Sequence, residues 1–118
     1  MFIFLLAPTS TRPRQLEVIR RTHGFIYYVS LTGITGAKLT DLKDVRDNVE
    51  KIRRSTDKPI AVGFGVATPE DARHMAEFAD GVIVGSAIVR QIGDHQQDPH
   101  LAQRIGQFTQ NLKTATQL

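Results

Sequence analysis

Four short apolar runs, Phe2–Ala7, Phe25–Ser30, Pro59–Phe64 and Gly81–Gly85, constrain the fold of this chain more than any other feature. Each is five or six residues long and contains no charged residue. A strand with one wet face alternates apolar and polar residues. A continuous apolar strand reads as covered on both faces, the usual condition of a parallel sheet.

The segments between the runs carry helical spacing. Leu42, Val45, Val49 and Ile52 recur at steps of three and four, which places them on one helix face. Ala72, Met75, Ala76 and Ala79 do the same after the third run, and Leu101, Ile105, Phe108 and Leu112 after the fourth. Leu16 and Ile19 mark a shorter helix that begins just after Pro13. Thr68-Pro69-Glu70-Asp71 is a helix start: Thr68 suits the cap, Pro69 the first turn, and the acids the positive end of the dipole. The order is therefore β-α repeated four times, with a short extra turn near Ala87–Ile92. Alternation of this kind predicts parallel strands joined by right-handed crossovers.

No linker, low-complexity stretch or repeat interrupts residues 1–118, which read as a single segment; 93–99 is a polar loop. Two architectures fit four βα units. One is an open doubly wound sheet. The other is half of a (βα)8 barrel, since a whole barrel takes about 250 residues and the chain has 118.

Composition narrows the function classes. Apolar residues at 41% and charged residues at 23% are a globular mixture. The chain has no cysteine, which excludes disulfides and thiolate catalysis and favours a cytoplasmic setting. Phe2–Ala7 is too short to span a bilayer and no basic region precedes it, so neither membrane insertion nor export is expected. The net charge of +3 resides largely on Arg20, Arg21, Lys51, Arg53, Arg54 and Arg104, all in helical segments where charges face water. No dense basic run exists, so nucleic acid is not an expected partner.

Glycines mark the candidate site. Gly63-Phe64-Gly65 ends the third run, and Gly85-Ser86 ends the fourth and opens the short extra turn. Backbone N–H groups reach a phosphate closely where no Cβ intervenes, and a helix N-terminus adds unpaired donors and a favourable dipole. In barrels, phosphate sites recur in the loops after the last two strands beside a short additional helix. Gly33-Ile34-Thr35-Gly36 reads either as a lid or as a flexible connection. Tyr27 lies within the second run, where a buried hydroxyl needs a partner. Carboxylates Glu17, Asp44, Asp47, Glu50, Glu70, Asp71 and Glu77 all lie on expected helices and read as solvated surface. Asp80 precedes the fourth strand, at the end that serves stability in barrels. The four histidines lack metal-ligand spacing, and no metal is expected.

These motifs converge on a family. Phe25-Ile-Tyr-Tyr-Val-Ser-Leu-Thr-Gly-Ile-Thr-Gly36 resembles the sixth strand and loop of tryptophan synthase alpha subunits. Ala61-Val-Gly-Phe-Gly65 followed by Thr68-Pro69-Glu70 resembles the seventh strand and its loop. Asp80-Gly-Val-Ile-Val-Gly-Ser-Ala-Ile-Val89 resembles the eighth strand and phosphate turn, and Phe4-Leu-Leu-Ala-Pro-Thr9 the fifth strand. Two alternatives stand beside it: a fragment of another phosphate-binding TIM-barrel enzyme, against which Ser30–Gly36 argues, and a non-catalytic half-barrel folding or assembly module.

The resemblance implies a (βα)4 half of a TIM barrel, with parallel strands and outer helices. It implies a lyase that converts indole-3-glycerol phosphate to indole and glyceraldehyde 3-phosphate in tryptophan biosynthesis. By the same resemblance, Gly63, Phe64, Gly65, Gly85 and Ser86 hold the substrate phosphate, Tyr27 lines the pocket, and Thr35 is a lid residue. No cofactor is implied for this chain; pyridoxal phosphate belongs to the beta subunit, the implied partner. The family's catalytic Glu and Asp belong to the half of the barrel that has no counterpart here, so the segment is expected to bind without turning over. An open half-barrel leaves two strand edges and an inner face, drawn from Phe2–Leu6, Phe25–Val29, Ile60–Val62 and Val82–Val84, facing water. Self-association is therefore expected.

Overall fold

The structure, a computed structural model, describes residues 1–29, 39–63 and 65–117. Strands β1 (Leu5–Leu6), β2 (Ile26–Val29), β3 (Ile60–Gly63) and β4 (Gly81–Ile83) form one parallel sheet in chain order. Helices α1 (Arg12–Arg21), α2 (Leu39–Arg53) and α3 (Pro69–Ala76) make the three crossovers; α4 (Ser86–Asp94) and α5 (Leu101–Thr116) follow β4.

The elements differ from the sequence reading in instructive ways. Among the described residues the strands are shorter than the apolar runs: β1 is trimmed at both ends, β2 and β3 start one residue in, and β4 starts with its run at Gly81 but ends at Ile83. β1 is the shortest, although backbone bonds continue beyond it: Phe2 O accepts from His23 N–H (2.8 Å) and Phe4 O from Tyr27 N–H (3.3 Å). α1 starts one residue before Pro13, not after it; proline fits the first turn, where an N–H has no intrahelical acceptor anyway. The extra turn is a nine-residue helix, α4.

Register decides the architecture. Leu5, Tyr27, Ala61 and Gly81 form one row across the sheet, and Leu6, Tyr28, Val62 and Val82 the next. Successive rows point to opposite faces. Leu6, Ile26, Tyr28, Ile60 and Val62 are buried against Ile19 of α1, Val45, Val49 and Ile52 of α2, Met75 of α3 and Leu112 of α5. The helices therefore lie over one face. The doubly wound alternative needs helices on both, and a strand order that reverses. On the other face Leu5 stays 59% exposed, and Tyr27, Val29 and Ile83 are half-buried. The apolar runs are continuous because one face meets helices and the other is the apolar interior side of a barrel wall.

A polar clamp ties the N-terminal ends of the strands. Thr22, buried between α1 and β2, accepts from Phe4 N–H (3.1 Å) and donates to Phe25 O (2.8 Å). Lys58 Nζ donates to Ile19 O (2.6 Å) and Thr22 O (2.8 Å), closing the C-terminus of α1. Asp80 brackets Ile60: its N–H donates to Ile60 O (2.9 Å) and its Oδ2 accepts from Ile60 N–H (2.9 Å). Arg53 donates to the same Oδ2 (3.1 Å) and to Phe78 O (2.8 Å). In the core, Tyr28 Oη accepts from Asn48 Nδ2 (3.0 Å), and burial pushes the phenol pKa up.

The bond from Ile60 N–H, assisted by Arg53, holds the Asp80 pKa below its ordinary 3.8. A lowered folded-state pKa means stability present above that ordinary value and lost as pH falls through the folded value. The Arg53–Asp80 pair is over a third exposed and contributes little alone. Asp80→Ala is therefore expected to cost roughly 1–2 kcal/mol near neutrality, mainly through the orphaned Ile60 N–H. Denaturant melts across pH 2–7 check this. The deficit should shrink toward the acid end; a deficit independent of pH would contradict the assignment.

Candidate functional site

The C-terminal ends of β3 and β4 bring the two glycine segments together. Gly63 is level with Ile83 in the ladder, so Gly65 and Gly85 each lie two residues beyond paired positions on adjacent parallel strands. Gly65 has φ +38°, a left-handed backbone that favours glycine.

The helices that follow these strands begin differently. At α3, Thr68 Oγ1 accepts from Asp71 N–H (3.1 Å), while Asp71 Oδ2 accepts from Thr68 N–H and Ala67 N–H (both 3.1 Å). This reciprocal box satisfies the N-terminus of α3 internally. At α4, Gly85 occupies the cap position and no side chain caps the helix. The first N–H groups of a helix have no intrahelical acceptor. Gly85 and Ser86 are both exposed, and a Cβ placed on Gly85 would meet nothing within 4 Å. α4 therefore presents free donors, a hydroxyl and the positive end of its dipole to open space.

Tyr27 stands beside this mouth on the barrel-interior face. A Cβ placed on Gly63 would lie 2.9 Å from Cε1 and from Oη of Tyr27. The ring thus occupies the space that a side chain at residue 63 would fill, and the phenol forms a wall under the first glycine segment. Sequence reasoning missed this pairing, because it arises from the offset between β2 and β3. Phe64, Thr35 and the rest of 30–38 lie outside the described residues.

Several carboxylates are engaged elsewhere. Asp80 sits at the opposite end of the sheet, as the sequence reading expected. Asp71, which that reading left as solvated surface, serves the α3 box; its spacing three residues after Thr68 carried the signal. Glu17 pairs with Arg20 and Arg21 in α1, and their hydrogen bonds lower its pKa. Asp98 is lowered by the backbone N–H of His100 and by Arg104. Among the described residues, no group of three or more His, Asp or Glu is placed to hold a metal.

A profile of the family described as tryptophan synthase alpha chain matches residues 1–117. The chain belongs to the tryptophan synthase alpha chain family. It is 45% identical over 103 residues to the tryptophan synthase alpha chain of Thioalkalivibrio sulfidiphilus, covering 87% of this chain and 39% of that relative. With the tryptophan synthase alpha chain of Gloeobacter violaceus it shares 44% identity over 116 residues, covering 98% and 42%. The fold matches the crystal structure of tryptophan synthase subunit alpha from Legionella pneumophila str. Paris with TM-score 0.81 at 32% identity, over 97% of this chain and 41% of that one. Mycobacterium tuberculosis tryptophan synthase gives TM-score 0.81 at 34% identity, over 98% and 42%. The chain spans about two fifths of the length of the tryptophan synthase alpha chains it matches. Its four parallel strands and one-sided helices are half of that family's TIM barrel.

The two glycines respond differently to a methyl group. Gly63→Ala must displace the Tyr27 ring, a clash expected to cost about 1–3 kcal/mol and to alter the tyrosine near-UV circular dichroism. Gly85→Ala enters open space and should leave both the melt and the spectrum within error. Equal effects of the two substitutions would show that Tyr27 does not rest on Gly63.

Proposed function

We propose that this chain is the phosphate-gripping portion of a tryptophan synthase alpha-type lyase, which converts indole-3-glycerol phosphate to indole and glyceraldehyde 3-phosphate. The observation that carries the reading is the contrast between neighbouring helix starts: α3 is closed by Thr68 and Asp71, whereas α4 is left open behind Gly85 and Ser86. In this reading the phosphate is held by backbone and side-chain donors at Gly63, Phe64, Gly65, Gly85 and Ser86. Tyr27 borders the pocket and Thr35 acts from the lid. The compartment is the cytoplasm; no helix among the described residues is long and apolar enough to cross a membrane.

Carbon–carbon cleavage of this substrate requires a proton delivered to the indole ring and another taken from the glycerol hydroxyl. The acid and base belong to the other portion of the family's barrel. Binding phosphate alone stabilises substrate and transition state alike and leaves turnover unchanged. The 118-residue chain therefore binds and does not cleave. The partner of the whole protein is the tryptophan synthase beta subunit, which carries pyridoxal phosphate; this half alone binds it weakly, because the contact surface also draws on the rest of the barrel.

Titration of the chain with glycerol 3-phosphate tests the site. Gly85→Val should abolish binding while leaving the melt intact. Ser86→Ala should weaken binding roughly fivefold, the worth of about 1 kcal/mol for one hydrogen bond. Unchanged affinity in both variants would place the phosphate elsewhere. In a parallel assay for released indole, sustained turnover by the chain alone would overturn the division of labour.

A further inference from the structure

The connection from β3 to α3 is fastened at several points. Gly63 pairs with Val29 of β2 and with Ile83 of β4. Val66 is 4% exposed and belongs to the core cluster that includes Val62 and Met75. The N–H groups of Ala67 and Thr68 both donate to Asp71 Oδ2 (3.1 Å each). Gly65 lies between these fixed points and takes its left-handed φ of +38° there.

The two halves of the Thr68–Asp71 box act on different parts of the chain. Thr68 Oγ1 accepts from Asp71 N–H (3.1 Å) and thereby caps α3. One such side-chain acceptor is the usual complement of a helix start. Asp71 Oδ2 reaches backward instead, and both of its donors lie before the first helical residue, Pro69. A carboxylate at the strand-exit end opposes an anion bound there by like charge. What it contributes at that place is the pair of bonds to the connection. The start of α3 offers an anion little of its own. Pro69 has no N–H, the Asp71 N–H is taken by Thr68, and Glu70 adds a second negative charge.

We infer that Asp71 is a positioning residue for the phosphate site, an assignment that rests on the proposed role of Gly63–Gly65 and Gly85–Ser86 as phosphate donors. Through the amides of Ala67 and Thr68 its carboxylate fixes the Gly65 turn at the strand exit next to that of Gly85 before a ligand arrives. A connection that a ligand must order on binding weakens affinity, and one already ordered in the free chain avoids that loss. Asp71 itself touches no ligand; it acts through the backbone it holds.

Titration of the full 118-residue chain with glycerol 3-phosphate, alongside denaturant melts, separates the two halves of the box. Asp71→Ala should raise the dissociation constant about tenfold, because the ligand must then order the Gly65 turn. Asp71→Asn keeps a carbonyl acceptor for both amides and removes the charge, so affinity should stay within about twofold or improve. Thr68→Ala should lower stability about as much as Asp71→Ala while leaving affinity within about twofold. Without ligand, amide exchange at Ala67 and Thr68 should accelerate in Asp71→Ala and not in Asp71→Asn. If Asp71→Ala fails to fold, Asp71→Ser takes its place, since its hydroxyl stands where Cγ of Asp71 is and falls short of both amides. A capping role alone predicts that every variant melts earlier and that none changes the affinity of the folded chain; that result overturns the inference. Charge alone predicts tighter binding by Asp71→Ala, which overturns it as well, as does an equal loss of affinity in Thr68→Ala. Gly85→Val tells the two failures apart. If it abolishes binding while Asp71→Ala binds as the parent chain does, the phosphate site stands and the role of Asp71 falls. If Gly85→Val itself binds as the parent chain does, the phosphate site fails and takes this inference with it.

Discussion

Everything in this structure depends on one handedness constraint applied three times in the same direction. A parallel strand that returns through a right-handed crossover places its helix on a fixed side of the sheet. Because the strands add in chain order without reversal, the crossover helices fall on one face. That geometry buries Tyr28, Ile60 and Val62 completely and leaves Leu5 in water. It also gathers every strand exit at one end of the sheet, with the Thr22, Lys58 and Asp80 clamp at the other. The glycine segments and the structural bonds are thereby separated by the length of a strand.

At the exit end, two adjacent helix starts use their donors differently. The Thr68–Asp71 box makes α3 self-sufficient, so its formation does not wait for a ligand. α4 begins behind an exposed glycine with no side-chain cap, a state that water or an anion can complete.

Much of this was legible in the sequence, because apolar runs and helical spacing report burial directly. The four strands, the helix faces at Val45, Val49, Ile52 and Met75, and the structural place of Asp80 all follow from local pattern. The choice between an open sheet and a barrel half did not follow from that pattern, because apolar continuity looks the same whether the second face meets helices or a barrel interior; it came from the resemblance carried by the glycine motifs, and the one-sided helices agree with it. Leu16, expected on the covered face of α1, is 46% exposed because α1 borders the edge strand. The contact between Tyr27 and Gly63 depends on inter-strand register, which no local pattern encodes. The glycine segments were visible as such, whereas the contrast in capping emerged only once Asp71 was seen folded back on Thr68.

The position of β1 also sets how the sheet breathes. β3 is bonded on both sides, and Ile60 is further pinned by Asp80. β1 has a two-residue ladder on one side, supplemented by the hydroxyl of Thr22. Opening free energies within one domain range from near zero at frayed elements to the global value at the centre. Amide exchange should therefore grade across the sheet, fastest along Phe4–Leu6 and slowest at Ile60–Val62. Fluctuations that expose the first strand leave the β3–β4 pair in place, so the half of the sheet that ends in Gly65 and Gly85 is insulated from the motion of β1.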